Sequence, residues 1–206
     1  MRAAAGPRIA PLPAGEWSEE ARTALRGHVA RIDQYLSGQP DAPTMPPVLG
    51  VLGRHPQLAG AWLQLNGVLL NSTVLDARLR ELVILRVAWL AGSDYEWRQH
   101  ARIGREAGLS AEQIEGVVRG PDASVWCSNE RTLLRAADEL MSSKTLSDAT
   151  WEQLARFLDD RQLIELLFVV GAYLCVALVF NGAAIPAPHP PNGAPEGHPR
   201  RPEDRG

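Results

Sequence analysis

Cysteine is scarce in this chain. Of 206 residues only Cys127 and Cys175 carry a thiol, and they sit far apart with no CxxC or Cys/His spacing. That excludes a disulfide framework and a zinc site, so no metal is expected, and a reducing, cytoplasmic setting is the default. An excess of one charge is missing as well. The formal net charge is -3, so nothing in the balance favours nucleic acid or an anionic membrane as partner. There is no glycine-rich phosphate loop and no internal repeat. Near the N-terminus, MRAAAGPRIAPLPAG is broken by proline and glycine before an apolar run reaches signal-peptide length, and residues 1–15 read as a flexible arm. Period-two alternation is absent, as are Asn-Gly or Asp-Gly turns between apolar runs, which removes the main signals for strands and hairpins. From residue 186 onward proline, glycine and charge dominate. Such a segment cannot bury a core, so 186–206 is expected to be disordered. The remaining 16–185 suits one domain with a sizeable core.

What is present is helical periodicity. Ala24, Leu25, Val29, Ile32 and Leu36 predict a first amphipathic helix over 16–36. SGQPDAPTMPP then breaks the chain. A short helix follows over 48–54, and Pro56 suits the first position of the next, because its missing N–H would be unpaired there anyway. Asp76 is placed to cap a helix that Gly92 stops after Ala91. Ser93 is expected to cap another that runs to about Ala107, ended by Gly108. Ser110 with Gln113 forms a capping-box pattern. Two further helices are predicted, one over 129–141 and one capped by Ser147 or Asp148 and running to Leu158, and an apolar one over 162–180 closes the fold. The expected architecture is an all-α, compact bundle of about six to eight helices.

The closing run, LIELLFVVGAYLCVALVF, approaches the roughly 20 apolar residues that a membrane span needs. Glu165 sits inside it, Gly171 interrupts it, and no basic cluster flanks it. It is read as a helix buried on all sides, in the core or at a subunit interface.

Candidate chemistry concentrates between residues 81 and 100. From Leu82 to Leu90 the helix is apolar on nearly every face and should be buried. Glu81 shares a stripe with Ala77, Leu85 and Ala88. A carboxylate there must find a partner or hold its proton. It is therefore either a general acid or base, or one half of an ion pair, for instance with Arg78 one turn back. Glu96 and His100, four apart, share a helical face, and a carboxylate beside an imidazole suits proton transfer. Ile103 and Ala107 continue that face inward. The structural alternative for Glu96 is equally concrete: Ser93-x-x-Glu96 is a capping-box pattern.

The run LDARLRELVILRVAWLAGSDYEWRQHARIGREAGLSAEQI, from Leu75 to Ile114, resembles the signature region of the carboxymuconolactone decarboxylase and alkylhydroperoxidase D-like superfamily. The preceding RHPQLAGAWLQLNGVLL resembles its lead-in, and the apolar closing helix its last helix. The resemblance covers most of 47–185. It implies an all-α domain that self-associates as a homotrimer or hexamer. The peroxidase branch carries a Glu, then a CxxC pair, then a His. Glu81 and His100 match the outer positions, while Ser93 and Glu96 stand where the cysteines would be. Without a thiolate and its resolving partner, thiol peroxidase chemistry is not expected.

What the resemblance then implies is the decarboxylase branch, which works without metal or organic cofactor. Catalysis would rest on His100, Glu81 and Glu96, with either glutamate able to assist the histidine. Arg86 or Arg98 would bind a substrate carboxylate, and Ser93, Tyr95 and Trp97 would complete the substrate site. The expected reaction is decarboxylation, with proton transfer, of a small enolisable carboxylate or lactone. One alternative is a cyclase, dehydratase or isomerase of secondary metabolism using the same residues. It draws on a composition rich in Ala, Arg, Gly and Pro, and on a tryptophan-lined pocket involving Trp62, Trp89 or Trp97. The other alternative is a catalytically silent oligomeric scaffold.

Overall fold

The structure, a computed structural model, describes residues 6–187 apart from positions 30, 40 and 72. Most of the expected disordered tail, and the first five residues of the expected arm, lie outside the described residues. Those described form ten α-helices and no strand, and they fall into two compact units, one built on residues up to 72 with 180–186, the other on 73–179.

The first unit holds α1 (Glu19–Leu25), α2 (Ile32–Tyr35), α3 (Pro47–Leu52) and α4 (Pro56–Asn71), after a single 3-10 turn at Ala14–Glu16. The continuous helix predicted over 16–36 is in fact two. Ser18 caps α1, and Arg26 leaves helical geometry at ψ 138. Gly27 then takes φ 84, a left-handed conformation that glycine adopts without strain. Arg26 bridges the break by pairing with Glu19 at 2.9 Å and Asp33 at 3.1 Å. The Arg22 guanidinium donates to the carbonyls of Ala14, Trp17 and Leu36. Trp17, Leu25, Ile32, Leu49 and Ala59 form the core of this unit. The described part of the arm is tied down. Arg8 N–H donates to the Ala183 carbonyl, Leu12 N–H to that of Gly50, and Arg54 Nε to that of Ala10.

The second unit is organised on α5 (Ala77–Ala91), which contacts α6 (Asp94–Glu106), α7 (Ala111–Arg119) and α8 (Ser128–Ser143). Every residue from Arg80 to Ala88 is buried, as its all-round apolar character predicts. The boundaries predicted for α5 hold, whereas the helix predicted to run to Leu158 ends at Leu154. Asp76 accepts from the N–H groups of Arg78 and Leu79, and Gly92 ends the helix at φ 65. The capping box of Ser110 and Gln113 is complete. Ser147 caps α9 (Asp148–Leu154).

The final helix, α10 (Asp160–Gly182), is the one described helix long and apolar enough to cross a membrane. Within the single chain it is buried on one side only, so the expected burial in the core does not hold, and the alternative, a subunit interface, stays open. Leu166, Val169, Tyr173 and Ala177 face inward, whereas Ile164, Phe168 and Leu178 are more than half exposed. Glu165, the charge inside its apolar run, accepts from the N–H groups of Val74 at 2.7 Å and Leu75 at 3.3 Å. Gln162 donates to the Val74 carbonyl. The start of α10 is thereby fixed to the segment that leads into α5.

Candidate active site

Helix α5 takes three charged side chains inside: Arg80, Glu81 and Arg86 are each at most 7% exposed. Buried charge is costly without a partner, and the partners differ in kind.

Arg86 is fully engaged in holding the fold. Nε and Nη2 reach the two oxygens of Asp138 on α8 at 2.6 and 2.9 Å, a bidentate pair. Nη1 donates to the Val117 carbonyl at 2.7 Å, so the same guanidinium closes the C-terminal end of α7. Gly120 accommodates it: at φ 84, a β-carbon there would come within 2.8 Å of Nη2. The substrate-binding role expected of Arg86 gives way to a structural one, because each of its nitrogens already has a protein acceptor. Arg78, the suggested partner of Glu81, pairs instead with Glu130 at the start of α8.

Glu81, fully buried, is held from two sides. Its Oε1 accepts from Arg80 Nη2 at 3.3 Å, and its Oε2 meets His100 Nδ1 at 2.7 Å. The two residues are 19 apart in sequence and come together because α6 crosses close over α5. Gly104, one turn beyond His100, lies against α5; a β-carbon there would meet Leu85 at 3.4 Å and Glu81 at 3.7 Å, ordinary contact distances, and would crowd only Leu109, at 3.0 Å. With Nδ1–H donating to the carboxylate, the neutral ring carries its lone pair on Nε2, which has no hydrogen bond among the described residues. The sequence left open which glutamate serves the histidine. Nδ1 contacts Glu81, not Glu96.

Glu96 presents the opposite situation. It is 2% exposed, and neither carboxyl oxygen has a hydrogen-bond partner. The capping box is not formed: the Ser93 side chain caps nothing, and its hydroxyl is buried without a partner. Ser93 lies beside the Glu96 carboxyl and tempers its shift without reaching hydrogen-bond geometry. Burial dominates and pushes the Glu96 carboxyl up to about 8. At neutral pH this group is mostly a carboxylic acid.

Sequence reasoning missed Tyr173 on α10. Its ring stands edge-on to His100, centroids 4.9 Å apart and planes at 89°. The hydroxyl is buried and without a partner. Burial, and then the nearby Glu81 charge, hold its proton more tightly than in a free tyrosine. The only sequence signal was a polar-tipped ring in an apolar run, eight residues and so about two turns after Glu165. Of the remaining expected residues, Arg98 is half-buried with Nε unpartnered. Tyr95 and Trp97 are buried, and Trp97 packs in the core with Leu82, Leu85 and Trp126, its ring tilted against Trp89 at 5.9 Å. Trp62 belongs to the first unit. Among the described residues no group of three or more His, Cys, Asp or Glu side chains is arranged to hold a metal.

Comparison with known proteins places these helices in context. Residues 56–139 match the model of the carboxymuconolactone decarboxylase family. A peroxidase-related protein from Silicibacter has a similar structure (TM-score 0.70, 18% identity, 90% of this chain and 94% of the other). So does a putative antioxidant defence protein AhpD from Agrobacterium tumefaciens (0.63, 22%, 66% and 94%). The debrominase Bmp8, solved with 2,3,4-tribromopyrrole, is also similar (0.68, 15%, 87% and 91%). At these identities the likeness is one of fold. No curated protein matches the chain.

Proposed function

We propose that this chain, whose residues 56–139 match the carboxymuconolactone decarboxylase family, is a cofactor-independent acid–base enzyme acting on a small enolisable carboxylate or lactone. The observation that carries this reading is the buried pair of Glu81 and His100, 2.7 Å apart, beside an unpartnered, protonated Glu96. Glu81 fixes the tautomer and orientation of the imidazole, as the carboxylate of a catalytic triad does. His100 Nε2 is then the proton carrier.

In the proposed decarboxylation, carbon dioxide leaves and its bonding electron pair passes into the adjacent carbonyl, giving an enolate. His100, having taken a proton from water, returns it to carbon, and Glu81 stabilises the imidazolium while it exists. Arg98 is the residue left to bind the substrate carboxylate. A neutral Glu96 adds no second negative charge beside an anionic substrate. Thiol peroxidase chemistry is not proposed, because a hydroxyl and a carboxyl occupy the cysteine positions and Cys127 and Cys175 are exposed elsewhere. Self-association as a homotrimer or hexamer, and a cytoplasmic location, belong to the same proposal. The apolar residues that α10 leaves exposed support the former.

The test is carbon dioxide release, with ultraviolet loss of lactone, from γ-carboxymuconolactone. The wild-type protein is expected to release carbon dioxide and His100→Ala to release none, with helical circular dichroism unchanged. No release by the wild type contradicts decarboxylation of this substrate.

A further inference from the structure

Tyr173 has no place in the proton transfer just described, yet its hydroxyl is the polar tip of a 3% exposed side chain that the fold leaves without a hydrogen bond. Buried tyrosine hydroxyls ordinarily find a partner. The ring touches His100 edge-on, and Glu96 lies one helical turn before His100 on the same face of α6. Two buried, unpartnered, oxygen-bearing side chains are thus associated with His100: Tyr173 touches its ring from α10, and Glu96 precedes it by one turn on α6. Glu81 does not compete for either, since Arg80 and His100 already occupy its oxygens.

We propose that the Tyr173 hydroxyl and the Glu96 carboxylic acid are paired hydrogen-bond donors for a single ligand oxygen that carries negative charge, which makes the ligand class planar enolates and phenolates. The proposal rests on the acid–base reading above and names the group that would hold the enolate oxygen. Both donors are neutral, since burial raises the proton affinity of each. Neutral donors fixed in an apolar setting stabilise an oxyanion without having to reorganise as it forms. A tyrosine paired with a carboxylic acid kept protonated by burial is a known solution to this problem in ketosteroid isomerase. The Tyr173–Glu96 pair would thus lower the barrier to enolate formation, while His100 moves the proton.

The experiment is titration of the full-length protein with 4-nitrophenolate, followed by its visible absorption. The wild type is expected to bind it. Tyr173→Phe is expected to weaken binding at least tenfold with its circular dichroism and melting temperature retained. His100→Ala should bind within threefold of wild type while losing turnover. Phenolate binding that depends on Tyr173, in a protein that turns over no carbonyl substrate, would keep the donor pair and sink the acid–base reading. Absence of binding by the wild type, or equal binding by Tyr173→Phe, overturns the donor pair. Should Tyr173→Phe fail to fold, 3-fluorotyrosine labelling replaces it. The chain has three tyrosines, and Tyr35→Phe and Tyr95→Phe assign the fluorine signals. A Tyr173 signal that moves on adding 4-nitrophenolate upholds the proposal, and one that stays still overturns it.

Discussion

Two groups of buried polar side chains on and around α5 and α6 invite comparison. Around Arg86 every charged atom is answered: Asp138 takes two donors, the Val117 carbonyl a third, and Gly120 leaves room for the guanidinium. Around Glu96 almost nothing is answered. Both of its oxygens, the Ser93 hydroxyl and the Tyr173 hydroxyl are buried and bare. Each unpaired group costs the fold about 1–3 kcal/mol; Asn66, Arg98 and Glu165 each leave one such atom bare as well, but among the described residues only Glu96 leaves a whole carboxyl group bare. The first group holds three helices together. The second is left for something other than the fold, and the satisfied Glu81–His100 pair meets it where the His100 ring touches Tyr173.

The comparison breaks most visibly at Glu81. Glu81→Gln removes the carboxylate that fixes the His100 tautomer, and turnover is expected to fall about a hundredfold or more. An unchanged rate would mean that His100 needs no orienting partner. In the satisfied group the effect falls on stability. Arg86→Ala strands Asp138 and the end of α7, and should cost about 3–5 kcal/mol, read as a lower urea midpoint. A loss under about 1 kcal/mol would place Arg86 among the weak surface pairs.

Glu96 sharpens the contrast through pH. The folded protein binds its proton more tightly, near 8 against an ordinary 4.5. The stability this confers is therefore complete below about pH 4.5 and drains away as pH rises toward 8, at up to about 1.4 kcal/mol per pH unit. Glu96→Gln stays neutral and should lack that slope, so the variant gains on the wild type as pH rises from 5 to 8. Parallel melting-temperature curves would show that Glu96 ionises normally. The smallest effect separates two serines at helix starts. Ser147 caps α9 and its loss should cost about 1 kcal/mol. Ser93 caps nothing, so Ser93→Ala should melt no lower than the wild type.

These differences mark how far the sequence could be read. The boundaries of α5 and α6 were legible, because Asp76, Gly92 and Gly108 act locally. That Glu81 and His100 belong together was legible from the family resemblance, not from spacing, since a crossing of two helices leaves no periodic trace. The Ser93-x-x-Glu96 pattern misled, because a capping box and a buried acid share the same residue types and differ only in where the side chains point. The partners of Arg86 lie 31 and 52 positions away and could not be read at all. Tyr173 was hidden by a run so apolar that no face of α10 stood out. The same uniformity concealed that Ile164, Phe168 and Leu178 face outward.

Carbon-13 NMR of protein labelled at the glutamate carboxyls, with Glu96→Gln to assign the resonance, addresses the central claim most directly. The Glu96 carboxyl is expected to titrate near pH 8, as an acid kept protonated inside the site. Titration near 4.5 would contradict the account, since Glu96 would then be an ordinary carboxylate at neutral pH and unable to donate a proton to any ligand oxygen.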